Sequence, residues 1–173
     1  MNDELTDLRD SALPKWACRP LVKQVFSAAK ALGGEARIVG GAVRDWIIGH
    51  PVGDIDMVVN LPIETVASYF SRGDVRVLET GLQHGTITLC CGEDSIEWTQ
   101  TRVDIETDGR HAVVAYDSDW SSDAARRDFT INAIYLDADG VSFVPVDGQS
   151  VLQAGRLQFG GDGSQWLKEY ALR

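Results

Sequence analysis

Three short runs of residues in this chain combine types and spacings that could do chemistry on a phosphorylated substrate. The first is Gly40-Gly41-Ala42-Val43-Arg44-Asp45. Glycines let a backbone approach a bulky anion closely, and a following helix would present free N–H groups and partial positive charge to it. Arg44, one turn inside, could reach the same anion. A tight turn with a surface arginine would look the same. The run lacks the third glycine of a dinucleotide fingerprint and the Gly-Lys-Ser/Thr of a P-loop. The second run is Gly53-Asp54-Ile55-Asp56-Met57-Val58-Val59. On a strand, Asp54 and Asp56 share a face while Ile55 and Met57 enter the core. Two carboxylates that close repel unless a cation intervenes. Hard oxygen ligands suit Mg²⁺, which in turn holds substrate phosphates. Such a site could activate a 3′-hydroxyl and steady a leaving pyrophosphate. A solvated strand edge is the plain alternative. The third run is Arg126-Arg127-Asp128-Phe129-Thr130-Ile131-Asn132-Ala133. Its arginines offer phosphate contacts. Asp128 and Asn132, four apart, share a face if the segment is helical and could meet a ribose. A capped turn with a surface ion pair is the alternative.

Elements must hold these runs in place. Pro20 suits a first helical turn, and Leu21, Val22, Val25, Phe26, Ala29 and Leu32 recur at helical spacing up to Gly33-Gly34. Strands are expected over 36–39, 54–59, 75–78, 86–91 and 95–99, and helices over 42–48 and from Pro62 to about residue 70. Residues 103–125, rich in Asp, Ser and Gly, read as a long loop. A helical turn is expected over 129–133. Residues 134–136 and 141–144 flank Ala138-Asp139-Gly140, a hairpin signal, with Pro145 either ending the second strand or confining it to an edge. Residues 164–173 begin a helix. The result is an α+β domain with a mixed or largely antiparallel sheet flanked by helices.

Composition bounds the function. The chain has 173 residues, 44% of them hydrophobic and 24% charged, enough for a core without disulfides. The net charge of −10 argues against a surface that coats nucleic acid, though not against a local contact. Of the 16 basic residues 12 are arginine, the side chain suited to bidentate phosphate binding. Cys18, Cys90 and Cys91 show no ligand spacing and read as buried free thiols of a reducing compartment. No stretch is long enough to span a membrane, and the acidic start MNDELTDLRD is unlike a signal peptide. A cytoplasmic protein is expected.

Taken together, GGAVRD…GDIDMVV…RRDFTINAIYLD resembles, in order, spacing and type, the motif series of class II tRNA nucleotidyltransferases (CCA-adding enzymes) and bacterial poly(A) polymerases. His84-Gly85-Thr86, the stretch from Ile96 to Arg102 and the loop 108–112 are also similar. The resemblance covers roughly residues 20–173 and is to the catalytic head domain. It implies a polymerase-β-like nucleotidyltransferase fold and division into a lead-in (1–18), a head domain (19–160) and the start of a neck helix (161–173). It implies that Asp54 and Asp56 hold Mg²⁺ and carry catalysis, and that Gly40, Gly41 and Arg44 line the triphosphate site. Arg127, Asp128 and Asn132 would meet ribose and phosphates. Glu97 is a further acidic candidate or a structural ion-pair partner, and Arg102 and Arg110 are further candidates for phosphate contact. The implied reaction is attack of an RNA 3′ end, most simply that of a tRNA, on CTP or ATP. Two departures stand out. The family continues into RNA-binding domains whereas this sequence stops at Arg173, which leaves room for a truncated or head-only protein, or for a separate RNA-binding chain. In the base-selection motif Glu-Asp-x-x-Arg, the stretch Glu169-Tyr170-Ala171-Leu172-Arg173 puts Tyr170 in place of Asp, while Asp162-Gly163 and Trp166 also differ. Tyr170 and Arg173 would then face the base. A catalytically silent module that binds nucleotide or a partner protein is the alternative from another class. Transfer of a nucleotide to a protein side chain is a third.

Overall fold

The computed structural model describes residues 13–160 apart from 72, 108–111 and 146–147. Helix α1 (Pro20–Ala31) opens with proline at its first turn, where the missing N–H costs no hydrogen bond. It buries Leu21, Val22, Val25, Phe26 and Ala29, the stripe expected from the spacing. The chain turns at Gly33 and enters β1 (Ala36–Val39), then α2 (Gly41–Ile47), β2 (Asp56–Val59) and α3 (Ile63–Phe70). A meander follows: β3 (Arg76–Gly81), β4 (Thr86–Cys91) and β5 (Asp94–Gln100). The expected loop over 103–125 is overturned. Arg102–Thr107 (β6) and Ala112–Tyr116 (β7) pair antiparallel as a separate ribbon, and Trp120–Ala125 forms α4. Cross-strand pairing of β-branched stretches outweighs the interspersed acids, and Asp119 caps α4 by accepting from Ser121 N (3.2 Å) and Ser122 N (3.1 Å). The expected hairpin is present as β8 (Tyr135–Leu136) and β9 (Ser142–Phe143), followed by α5 (Gly148–Gln153).

Seven strands form one sheet in the order β3-β4-β5-β2-β1-β8-β9. Every pairing in it is antiparallel except β2 with β5. The sheet is therefore mixed, as the sequence led us to expect, and β9 lies at its edge. Strand alternation splits its faces. Ile38, Met57, Val59, Ile87, Leu89, Ile96 and Trp98 face α1 and α3 and form the main core. On the opposite face Val39, Val58, Ala133 and Tyr135 pack with Trp120 and Ala124 of α4. Beyond α4 that face stays polar: Ser95 and Glu97 on β5 are exposed. Trp16 and Ala17, from the expected lead-in, pack against the main core.

The thiols depart from expectation. All three cysteines are free, but Cys18 and Cys90 are only half-buried and Cys91 is exposed. The inward positions of β4 are taken by Ile87 and Leu89, and Cys91 lies at the strand's open end. Among the described residues no helix is long and apolar enough to cross a membrane.

Candidate active site

The end of β1 delivers the chain to the site. Gly40 follows Val39 with φ +78° and ψ −139°, a conformation that side-chain-bearing residues avoid. A Cβ there would stand 3.8 Å from Asp56 Oδ2, an ordinary contact, so the turn lies beside that carboxylate and the glycine is called for by its φ rather than by space. Asp56 begins β2, its Cα paired with Val39 on one side and Glu97 of β5 on the other. Asp54 departs from the expected strand: it lies in the loop just before β2. Ile55 between them is buried, as is Met57. The pair is thus held by a buried anchor on either side of Asp56 rather than by one continuous strand.

The electrostatics mark this spot. Asp56 is open to solvent as a residue, yet burial of its carboxyl pushes its pKa up. Arg127 pulls it down and Asp54 pushes it further up. Glu97 is raised by burial and then by Asp56, with Arg102 opposing. Three acids and two arginines therefore sense one another here. Among the described residues no three His, Cys, Asp or Glu side chains gather closely enough to hold a metal ion on their own. Two carboxylates, Asp54 and Asp56, fit a small hard cation that completes its shell with water and phosphate oxygens. Burial is the main upward push on Asp56 and Glu97, and the smaller part that comes from neighbouring carboxylates is what such a cation would relieve.

The second wall of the site is a chain of polar side chains. Arg44 on α2 donates from Nη1 to Asn132 Oδ1 (3.0 Å) and pairs with Asp45 (2.8 Å). Asn132 Nδ2 in turn donates to Asp128 Oδ1 (3.3 Å), which also accepts from Phe129 N (2.9 Å). The expected helical turn is shorter, a 3-10 turn over Thr130–Asn132 preceded by extended Phe129, so Asp128 lies before it and meets Asn132 through the side-chain bond rather than through helical spacing. Contact between the first and third runs is direct, through Arg44 and Asn132.

Arg127 is placed differently from a free phosphate hook. It lies mostly buried and pairs with Asp123 (2.9 Å), a residue that is fully buried on α4. Arg126 pairs with the other oxygen of Asp123 (2.5 Å). Tyr135 O–H donates to Asp123 Oδ2 (2.8 Å). Burial alone would raise the Asp123 carboxyl, but Arg127, Arg126 and Tyr135 outweigh it and hold it below its ordinary value. Burial pushes the Tyr135 phenol up, so it remains a donor. A carboxyl lowered in the folded state stabilises above its unfolded pKa and loses that stability as pH falls through the folded one. Asp123→Asn should therefore flatten the acid limb of the stability curve, below the ordinary aspartate value of 3.8. Urea titrations between pH 2 and 5 (roughly the window of carboxylate titration) check this, and parallel acid limbs in variant and wild type would refute it.

Sequence reasoning missed Asp123 and Tyr135. Their only signal was an aspartate four residues before Arg127, on a segment read as loop. Arg110, Tyr170 and Arg173 lie outside the described residues.

The family model for the poly A polymerase head domain matches residues 36–158, from β1 through the segment after α5. The chain belongs to that family. The head domain is 41% identical over 140 residues to CCA tRNA nucleotidyltransferase 1, mitochondrial, of Danio rerio, covering 80% of this chain and 32% of that protein. It is 34% identical over 161 residues to the CCA-adding enzyme of Geobacillus thermodenitrificans, covering 90% and 39%. The crystal structure of the Bacillus stearothermophilus CCA-adding enzyme in complex with CTP superposes with a TM-score of 0.76 at 28% identity, covering 89% of this chain and 37% of that one. The polymerase-β-like nucleotidyltransferase fold is thereby established. The chain spans about a third of the length of these relatives.

Proposed function

We propose that this head domain is a Mg²⁺-dependent RNA nucleotidyltransferase. It adds C, A or both from CTP and ATP to an RNA 3′ end, in tRNA CCA addition or repair. The observation that carries the reading is the meeting of all three runs at one place: Gly40 beside Asp56, and Arg44 bonded to Asn132. The names of the relatives, and a CTP complex among the similar structures, support the choice of substrates.

In this reading Asp54 and Asp56 hold the ion. When bound, Mg²⁺ supplies positive charge to the α-phosphate and to the departing pyrophosphate. Gly40 and Gly41 leave the backbone open to the triphosphate. Arg44 and Arg127 bring fixed positive charge, and Asp128 and Asn132 present an acceptor and a donor to the ribose. The RNA 3′-hydroxyl then attacks the α-phosphorus, forming a phosphodiester and releasing pyrophosphate. The protein contributes position and preorganised charge. Glu97, exposed on the polar sheet face and paired across from Asp56, would be a third acidic group beside the ion. Tyr170 and Arg173 would choose the base. With a net charge of −10, most RNA affinity would come from outside the head domain, in the same polypeptide or a separate chain. The free thiols accord with a reducing, cytoplasmic setting.

The test incubates the protein and Mg²⁺ with tRNAs ending before CCA, at C and at CC, and each labelled triphosphate in turn. Asp54→Ala/Asp56→Ala is the control. Extension that vanishes in the double variant is expected. Metal-dependent nucleotide binding with no extension at high RNA concentration would instead make this a silent nucleotide-binding module.

A further inference from the structure

Asp123 belongs to none of the three runs, and its burial keeps it from touching a substrate. Both of its oxygens are nonetheless used. Oδ1 accepts from Arg126 Nε (2.9 Å) and Nη2 (2.5 Å). Oδ2 accepts from Arg127 Nε (3.1 Å) and Nη2 (2.9 Å), and from the Tyr135 hydroxyl. Tyr135 also takes a bond from Arg127 Nε (3.1 Å), and its ring lies 5.4 Å from the guanidinium carbon. Arg127 is therefore gripped along one edge by a carboxylate, a hydroxyl and a ring.

An arginine is a long chain of rotatable bonds, and held loosely it loses entropy on every contact it makes. Arg127 sits close enough to Asp56 for its charge to be felt there. Its ion pair nevertheless goes to Asp123 on α4. Asp123 holds it there, because a bidentate pair fixes direction as well as distance. Tyr135, fully buried on β8 between β1 and the edge strand β9, anchors the arrangement to the same β1–β2 framework that carries Asp56.

We propose that Asp123 and Tyr135 are positioning residues for Arg127: they hold one edge of its guanidinium so that the remaining corner meets the triphosphate. The inference rests on the nucleotide site of the preceding section but not on RNA extension. Its test is therefore equilibrium binding of ATP and CTP with Mg²⁺ to the full chain, read by calorimetry. Failure to extend RNA would sink the transferase reading and leave this one standing.

Asp123→Asn keeps the shape and removes the charge. We expect it to weaken nucleotide binding by about tenfold or more, the scale of a lost charge-assisted bond, with Tyr135→Phe weakening it about threefold. On an Arg127→Met background, Asp123→Asn should add no further loss, since it acts through the arginine. Asp119→Ala is the comparison: it loosens α4 at its cap, lowers the melting temperature, and leaves affinity within about twofold. Three results would overturn the proposal. They are wild-type affinity in Asp123→Asn, losses from Asp123→Asn and Arg127→Met that multiply, or an equal affinity loss in Asp119→Ala. Should Asp123→Asn fail to fold, Tyr135→Phe decides alone, and unaltered binding in that variant overturns the proposal.

Discussion

Asp56→Asn is expected to lower nucleotide addition by about a thousandfold while leaving the empty fold as stable as wild type, or more so. The loss follows from charge: a cation held by Asp54 alone leaves the leaving group poorly stabilised, and several kcal/mol of barrier is about three powers of ten. The gain follows from the carboxyl's surroundings. Burial and Asp54 push the Asp56 pKa up. The folded state thus retains a proton that the unfolded chain has released, and stability falls as pH rises above the ordinary value of 3.8. At neutral pH the charge works against the fold, and an amide of the same shape removes it. Single-turnover extension and thermal melting in metal-free buffer check both halves. A variant within tenfold of wild-type activity, or one whose activity and stability fall together, would contradict the assignment.

Gly160→Ala should destabilise the domain by about 2–4 kcal/mol and weaken nucleotide binding with it. A Cβ at residue 160 would sit 2.2 Å from the carbonyl oxygen of Arg127, a backbone atom that cannot swing aside. Relief requires the segment after α5 to lift away from the third run. That would cost the bonds from Gly160 N to Asp128 O (2.8 Å) and from Thr130 N to Gln158 O (3.0 Å). It would also part Phe129 from Phe159, stacked at 5.1 Å. Asp128 and Asn132 lose their footing in the same event. Gly53→Ala, whose Cβ would meet nothing within 4 Å, should move stability by less than about 0.5 kcal/mol. Urea titrations of the two variants side by side give the comparison, and equal midpoints would refute it.

Much of the fold was legible because periodicity is local. The stripe of α1, the bounds of β1 and β4 and the β8–β9 hairpin all follow from residues a few positions apart. The ribbon β6–β7 did not, although Val103 and Ile105 alternate with Asp104 and Glu106. Acidic residues in every second place look like loop until a partner strand is known, and strand preference depends on that partner. The site divides the same way. Gly40, Asp54, Asp56, Asp128 and Asn132 stand in compact runs, so type and spacing revealed them. The bond from Arg44 to Asn132 crosses 88 positions of sequence and no periodicity reports it. Asp123 was hidden for a further reason: its importance lies in what it grips, and one aspartate in an acidic stretch carries no sign of being fully buried.

The single parallel pairing in the sheet has a consequence for how the chain is made. β2 meets β5 across about forty residues, and β1 meets β8 across nearly a hundred, so both joins close late. As the polypeptide leaves the ribosome, β1 and β2 can pair while each still exposes an open backbone edge. Open edges recruit strands from neighbouring chains, and charges along them discourage it. Asp56 heads one of these strands and Arg37 lies within the other. The carboxylate proposed to hold the ion in the finished protein is thus expected also to guard the nascent one against aggregation. Asp56→Asn, though no less stable once folded, would yield less soluble protein during synthesis.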